Sequence, residues 1–127
     1  MTIHVNWGTA DQRALHLTFE RGWTWDDLQM AIAQADTFIV AAEHTVHLII
    51  DIRHSGGLPR DFLSGAGELF AQGDARSNEG QRIVVGAGMM IRAAYKSVMA
   101  LYGAQLAARP FVFASSLEDA HQMIATI

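Results

Sequence analysis

The chain opens on alternation. Ile3, Val5 and Trp7 are apolar against polar His4 and Asn6, and the same period returns after Gly8 to Gln12 in Leu15, Leu17 and Phe19 against His16, Thr18 and Glu20. A period of two sends neighbouring side chains to opposite faces, so these stretches predict a hairpin of half-buried strands joined by a polar turn. Arg21-Gly22-Trp23 breaks the pattern. Thr24 then offers an N-cap oxygen, and Asp27 stands where a capping box needs its carboxylate. Leu28, Ile32, Ala35, Ile39 and Ala42 follow at helical spacing as one apolar stripe, predicting a helix that runs to about Glu43.

Val46-His47-Leu48-Ile49-Ile50-Asp51 is a nearly continuous apolar run ending on a carboxylate, the pattern of a strand covered on both faces. Arg53-His54-Ser55-Gly56-Gly57 reads as a loop into Leu58-Pro59, where proline suits a first helical turn. Phe62, Ala66, Leu69 and Phe70 supply that second helix with an apolar face, and Gly73 supplies a C-cap. Residues Gly73 to Gln81 are polar and predict an exposed loop, and Arg82 to Gly86 predict a second buried strand. Ile91, Ala94, Tyr95, Val98, Leu101 and Tyr102 mark a third helix closed by Gly103. Phe111 to Ala114 form the last strand, and Ser116 with Asp119 as capping-box partner starts a final helix on Ala120 and Ile124. The order β-β-α-β-α-β-α-β-α describes one α/β domain, residues 1–127, with a mostly parallel mixed sheet of about five strands and about four helices. The first strand falls at an edge with no lysine guard, so self-association into a homodimer is an expectation.

Three stretches resemble the STAS domain, shared by sulfate transporters and anti-sigma-factor antagonists. They are Leu15-His16-Leu17-Thr18-Phe19 leading to Trp25-Asp26-Asp27-Leu28, the strand His47-Leu48-Ile49-Ile50-Asp51, and the close Phe111-Val112-Phe113-Ala114-Ser115-Ser116-Leu117-Glu118-Asp119-Ala120. The likeness covers roughly residues 13 to 125. It implies a STAS-like fold and a non-catalytic regulatory module that docks a protein partner. Members of that family that regulate sigma factors carry Asp-Ser-Ser-Gly-Leu at the start of the second helix, with one serine phosphorylated. Here the segment falls near Pro59-Arg60-Asp61-Phe62, where no serine stands, and Asp61 takes about the place of the phosphorylated residue. The resemblance therefore implies a module without the serine switch. Its docking surface would run from Arg53, His54 and Ser55 through Leu58, Arg60, Asp61 and Phe62 to Ser64, with Arg60 and Asp61 as rim charges.

Composition narrows the chemistry. The chain of 127 residues is 50 % hydrophobic, contains no cysteine and carries a formal charge of −4. Cysteine chemistry is thereby excluded, and the acidic balance argues against a nucleic-acid binder, which needs a basic face. No basic segment followed by an apolar one opens the chain, and its apolar runs fall short of the roughly 20 residues that cross a bilayer. A cytoplasmic protein with no membrane span is expected.

In open α/β sheets ligands gather beyond the carboxyl ends of the parallel strands. That edge collects Asp51, Arg53, His54 and Ser55, then Gly86, Ala87 and Gly88, then Ser115 and Ser116, with Arg92 one turn into the third helix. Asp51, Gly86, Gly88, Arg92 and Ser115 thus form the alternative reading, a small-molecule sensor for a nucleotide, anion or lipid-like ligand held partly by helix-start N–H groups. Asp51, His54 and Ser55 make a poor catalytic trio, because a serine adjacent to its histidine rarely reaches the required geometry, and no Gly-x-Ser-x-Gly elbow exists. The six histidines lack the convergent spacing of a metal site and read as scattered and half-exposed. No cofactor is expected. Met89, Met90 and Met99 read first as core filler, and of Trp23 and Trp25 one is expected at the surface as an anchor.

Overall fold

The computed structural model describes residues 2–57, 65, 77–106 and 111–127. Five strands, β1 (Ile3–Trp7), β2 (Ala14–Glu20), β3 (Val46–His54), β4 (Glu79–Val85) and β5 (Phe111–Ala114), form one sheet in chain order. The hairpin pair β1–β2 is antiparallel, and the pairs β2–β3, β3–β4 and β4–β5 are parallel. Among the described residues three helices accompany the sheet: α1 (Trp25–Ala41), α2 (Met89–Leu106) and α3 (Leu117–Ala125). The helix expected after Pro59 lies outside the described residues apart from Gly65, which is helical and buried.

Register assigns the two faces. Leu15 stands beside Trp7 and Leu48, Leu48 beside Arg82, and Arg82 beside Phe111, so these residues share one face with Leu17, Ile50, Val84 and Phe113. Right-handed crossovers between successive parallel strands bring their helices to one face. Accordingly α1 buries Ala31, Ala35 and Ile39 on Ile3, Leu15, Leu17, Phe19, Val46 and Leu48. On the same face the ring of Tyr95 in α2 meets Phe111 and Phe113 edge-on at 5.8 and 5.2 Å. The opposite face is covered by α3, whose Ala120 and Ile124 pack with Ile49, Ile83, Val85 and Ala114. Each large aliphatic side chain so buried contributes about 1.5–3 kcal/mol.

Local chemistry sets the helix ends. The Thr24 hydroxyl accepts from the Asp27 N–H at 3.2 Å while the Asp27 carboxylate accepts from the Thr24 N–H at 3.1 Å, the expected capping box. Thr2 also donates to Asp27, which ties β1 to the start of α1. At α3 the Ser116 hydroxyl accepts from the Asp119 N–H at 3.0 Å, but the Asp119 carboxylate accepts from Ser115 instead of closing the box on Ser116. The C-terminus of α1 is held from a distance, since the Asn78 amide donates to the carbonyls of Ile39 at 2.9 Å, His44 at 3.2 Å and Ala42 at 3.4 Å. The Ile39 carbonyl also accepts from the Ala42 N–H at 3.2 Å, and the Ala42 and His44 carbonyls lie at and beyond the helix end, so Asn78 serves as a remote cap. Asn78→Ala is expected to cost about 1–2 kcal/mol in urea unfolding, with Asn78→Asp costing at least as much because a carboxylate cannot donate.

Several expectations need correction. β3 continues through Arg53 and His54, where a loop was expected, because pairing with β2 extends to Glu20 opposite His54. Glu79 to Gln81 belong to β4, not to the exposed loop. Gly103 lies inside α2, which runs on to Leu106. Ile32 is exposed, and Ala31 takes its place in the buried stripe of α1. Trp23 is buried instead of one indole serving as a surface anchor, and half-buried Trp25 stacks edge-on against it at 5.6 Å. This is possible because Trp23 precedes the helix, so the two are not bound to helical spacing. His47 is also buried, its Nδ1 accepting from the Gln81 N–H at 2.9 Å. Burial, and then the charge of Arg13, hold its imidazole below its ordinary pKa of 6.5, so it stays neutral with the proton on Nε2.

Candidate functional site

The carboxyl ends of β3, β4 and β5 form the edge where the sequence placed its candidates. Asp51 anchors it. The side chain is 1 % exposed, and both oxygens are occupied: Oδ1 accepts from the Arg53 N–H at 3.1 Å and Nε at 2.9 Å, and Oδ2 from Arg53 Nη2 at 2.7 Å and His16 Nε2 at 3.0 Å. A carboxylate only accepts, so His16 carries its proton on Nε2. Burial pushes the Asp51 carboxyl upward, but the hydrogen bonds from Arg53 and His16 and the Arg53 charge outweigh it and hold the pKa down to about 2. The pairing follows from the strand: Asp51 and Arg53 are two residues apart, hence on one face, and Thr18 opposite Asp51 places His16 one step away on the same side.

Gly86 ends β4 with φ at +92°. A Cβ built there would fall 2.8 Å from both the N and the Cα of Arg53. Only glycine allows this approach in this conformation. Asp51, Arg53 and Gly86 therefore form one packed unit.

The other candidates divide. His54 is exposed at the end of β3. Ser55 is buried, and its hydroxyl donates to the Ile52 carbonyl at 3.0 Å. With Asp51 committed to Arg53 and His16, the trio Asp51, His54 and Ser55 is not wired for catalysis. Arg92 Nε donates to the Ala87 carbonyl at 3.3 Å, and its guanidinium lies 4.9 Å from the Phe113 ring centroid. The Ser115 N–H and hydroxyl both donate to the Asp119 carboxylate at 3.2 Å. Gly88 borders open space. Leu58, Arg60, Asp61, Phe62 and Ser64 lie outside the described residues.

Two residues read as core filler stand out. Met89 and Met90, at the start of α2 on this same edge, are 89 % and 85 % exposed. Their core assignment is overturned: both are open to solvent at the helix start, and among the described side chains of the helix the buried one comes later, at Val98. The double methionine directly after Gly86-Ala87-Gly88 was the available signal, since it falls at the carboxyl edge of the parallel strands, where open α/β sheets bind their ligands.

Two shallow depressions of about 310 Å³ lie at the opposite edge, where the parallel strands begin. One is lined by Ile39, Val40, Ala42, Glu43, Ser77 and Asn78, the other by the β1–β2 turn and the end of α3. Among the described residues no group of three or more histidine, aspartate or glutamate side chains is placed to hold a metal ion. No described helix is long and apolar enough to cross a membrane. Comparison with family models, curated proteins and solved structures finds no match to this chain.

Proposed function

We propose that the chain is a STAS-like, non-catalytic regulatory module of the cytoplasm that docks a protein partner at the carboxyl edge of its parallel strands. The observation that carries this reading is the exposed Met89–Met90 pair on the edge where Arg53 presents a half-exposed guanidinium and His54 is open to solvent. Methionine and arginine are enriched at protein interfaces, methionine because its flexible thioether fits an irregular partner surface. The packed unit of Asp51, Arg53 and Gly86 gives this surface a fixed floor, to which the STAS resemblance would add the segment from Leu58 to Ser64.

The ligand reading at Asp51, Gly86, Gly88, Arg92 and Ser115 has less behind it. Arg53 is neutralised by Asp51, and the Ser115 N–H already faces the Asp119 carboxylate. An anion would have to displace that carboxylate.

Capture from cell lysate on the immobilised chain, compared with M89E/M90E and R60A/D61A, tests the proposal. A protein retained by the wild type is expected to fall at least about tenfold on M89E/M90E, because a charge buried at an interface centre costs more than about 1.4 kcal/mol, and by a smaller factor on R60A/D61A, whose charges lie at the rim. If no retained protein depends on either pair, the docking reading is wrong.

A further inference from the structure

The geometry points to a second surface on the far side of the sheet. We propose that β1 pairs antiparallel with β1 of a second copy of this chain, joining two sheets into one across a two-fold axis at Val5.

The hairpin register decides which backbone groups face outward. The Gly8 N–H donates to the Ala14 carbonyl at 2.8 Å, and the Glu20 N–H donates to the Thr2 carbonyl at 2.7 Å. In an antiparallel ladder hydrogen-bonded and non-hydrogen-bonded pairs alternate, so Thr2, His4, Asn6 and Gly8 spend their N–H and C=O groups on β2. Ile3, Val5 and Trp7 then direct theirs to the free side of the edge strand. That row is self-complementary. Setting Val5 opposite Val5 of the second copy brings Ile3 opposite Trp7 in both directions, and all three positions pair at once through about six main-chain hydrogen bonds. A slip by two residues in either direction leaves at least one of these positions without a strand partner.

The side chains agree with that register. Ile3, Val5 and Trp7 face α1, and His4 and Asn6 point to the opposite face, where both are exposed. The pairing sets His4 opposite Asn6 of the other copy, a neutral contact, while His4 keeps its Glu20 partner at 3.2 Å within its own chain. Above the edge, Trp7 meets Phe38 of α1 edge-on at 5.3 Å, which identifies the side of α1 nearest β1. Helical spacing places Gln34, Met30 and Ala41 along that side, all exposed and uncharged, with Asp27 at its start held by Thr2 and the Thr24 cap. A two-fold axis at Val5 sets Asp27 of the two copies at opposite ends of the seam, so copies of net charge −4 meet along the uncharged middle of this flank. The opposite edge strand is guarded, since Arg109-Pro110 leads directly into β5, whereas β1 holds no proline, lysine or arginine.

Sedimentation equilibrium of the full chain over a range of concentrations tests the proposal. The wild type is expected to be a dimer. Val5→Pro removes the central outward N–H without removing a bond to β2, and edge strands accept proline. H4K/N6K places lysines opposite lysines at exposed positions, so it leaves the monomer fold intact and keeps the proposal testable if Val5→Pro misfolds. Both variants should weaken the dimer at least tenfold while keeping the wild-type far-ultraviolet spectrum, and in H4K/N6K the Val5 amide should lose the slow hydrogen exchange it shows in the wild type. A wild type that is monomeric at every concentration overturns the proposal, as does a dimer that survives H4K/N6K.

Discussion

Gly86→Ala is expected to lower the unfolding free energy by about 3 kcal/mol, which for a domain of this size corresponds to roughly 10 °C in the thermal midpoint. Two costs combine. The backbone at φ +92° disfavours any residue with a Cβ, and the added carbon would lie 2.6 Å from Arg53 Cγ and 2.8 Å from its backbone N and Cα. A flexible side chain would turn aside at little cost, but here the obstacle is the β3 backbone, and β3 is paired on both sides. Relief requires parting the ends of β3 and β4, which also shifts Arg53 away from Asp51. Gly88→Ala is the matched control. It meets nothing within 4 Å and has no left-handed φ, so its cost stays under about 1 kcal/mol, the scale of a changed helix cap. Urea unfolding of the two variants separates them. Equal losses would mean that the strand ends yield freely and that the close approach of Gly86 to Arg53 is incidental.

The two glycines show where the sequence was legible and where it was not. Gly86 and Gly88 form a symmetrical pair on paper, both reading as a tight strand-to-helix turn. Only the structure shows that one is pressed against a neighbouring backbone and the other is not, because that contact is set by β3, more than thirty residues earlier. Local signals fared better. The alternation of Leu15, Leu17 and Phe19 gave β2 its bounds and its buried face, and Thr24 with Asp27 gave α1 its start, since both depend on residues close in sequence. The antiparallel hairpin and the parallel remainder followed from element order in the same way.

Where partners are remote, reading the chain alone fell short. Arg53 and His54 looked like loop because they are polar, yet β2 is long enough to pair with them. His47 looked half-exposed, but it sits at the irregularity between Val46 and Leu48 in the β3–β4 ladder, where a Cβ on Gly80 would come within 2.2 Å of its Nδ1. That contact encloses the ring. The candidate site was legible as an edge, from the rule about strand ends, and not as an arrangement. Nothing in the order Asp51, Arg53, Ser55 says that the carboxylate turns to the arginine and His16 while the serine turns to the Ile52 carbonyl. Met89 and Met90 failed for a related reason: hydrophobic type predicts burial only where an element lies opposite to provide it.

Asp51→Asn is the second large effect, a loss of about 3 kcal/mol at neutral pH. The amide nearly matches the carboxylate in shape, so packing is preserved and the change falls on charge and hydrogen bonding. One of its two terminal atoms becomes a donor that faces the N–H groups of Arg53 or His16, and the Arg53 guanidinium loses its counter-charge. The loss should depend on pH in a determined direction. Asp51 titrates at about 2 in the folded protein against 3.8 when unperturbed, so its ionised form is stabilised by folding. Above 3.8 both states are ionised and the contribution, about 2 kcal/mol, is fully present. Between 3.8 and about 2 the unfolded chain takes up the proton first, and stability falls with pH. Below about 2 both states are protonated and the contribution is gone. The asparagine variant has no such proton to bind. The gap between wild type and Asp51→Asn, measured by urea unfolding at a series of pH values, should therefore narrow by about 2 kcal/mol on acidification through that window. A gap that stayed constant would show that the Asp51 carboxylate gains nothing from Arg53 and His16, and the edge would lose the fixed floor on which the docking surface rests.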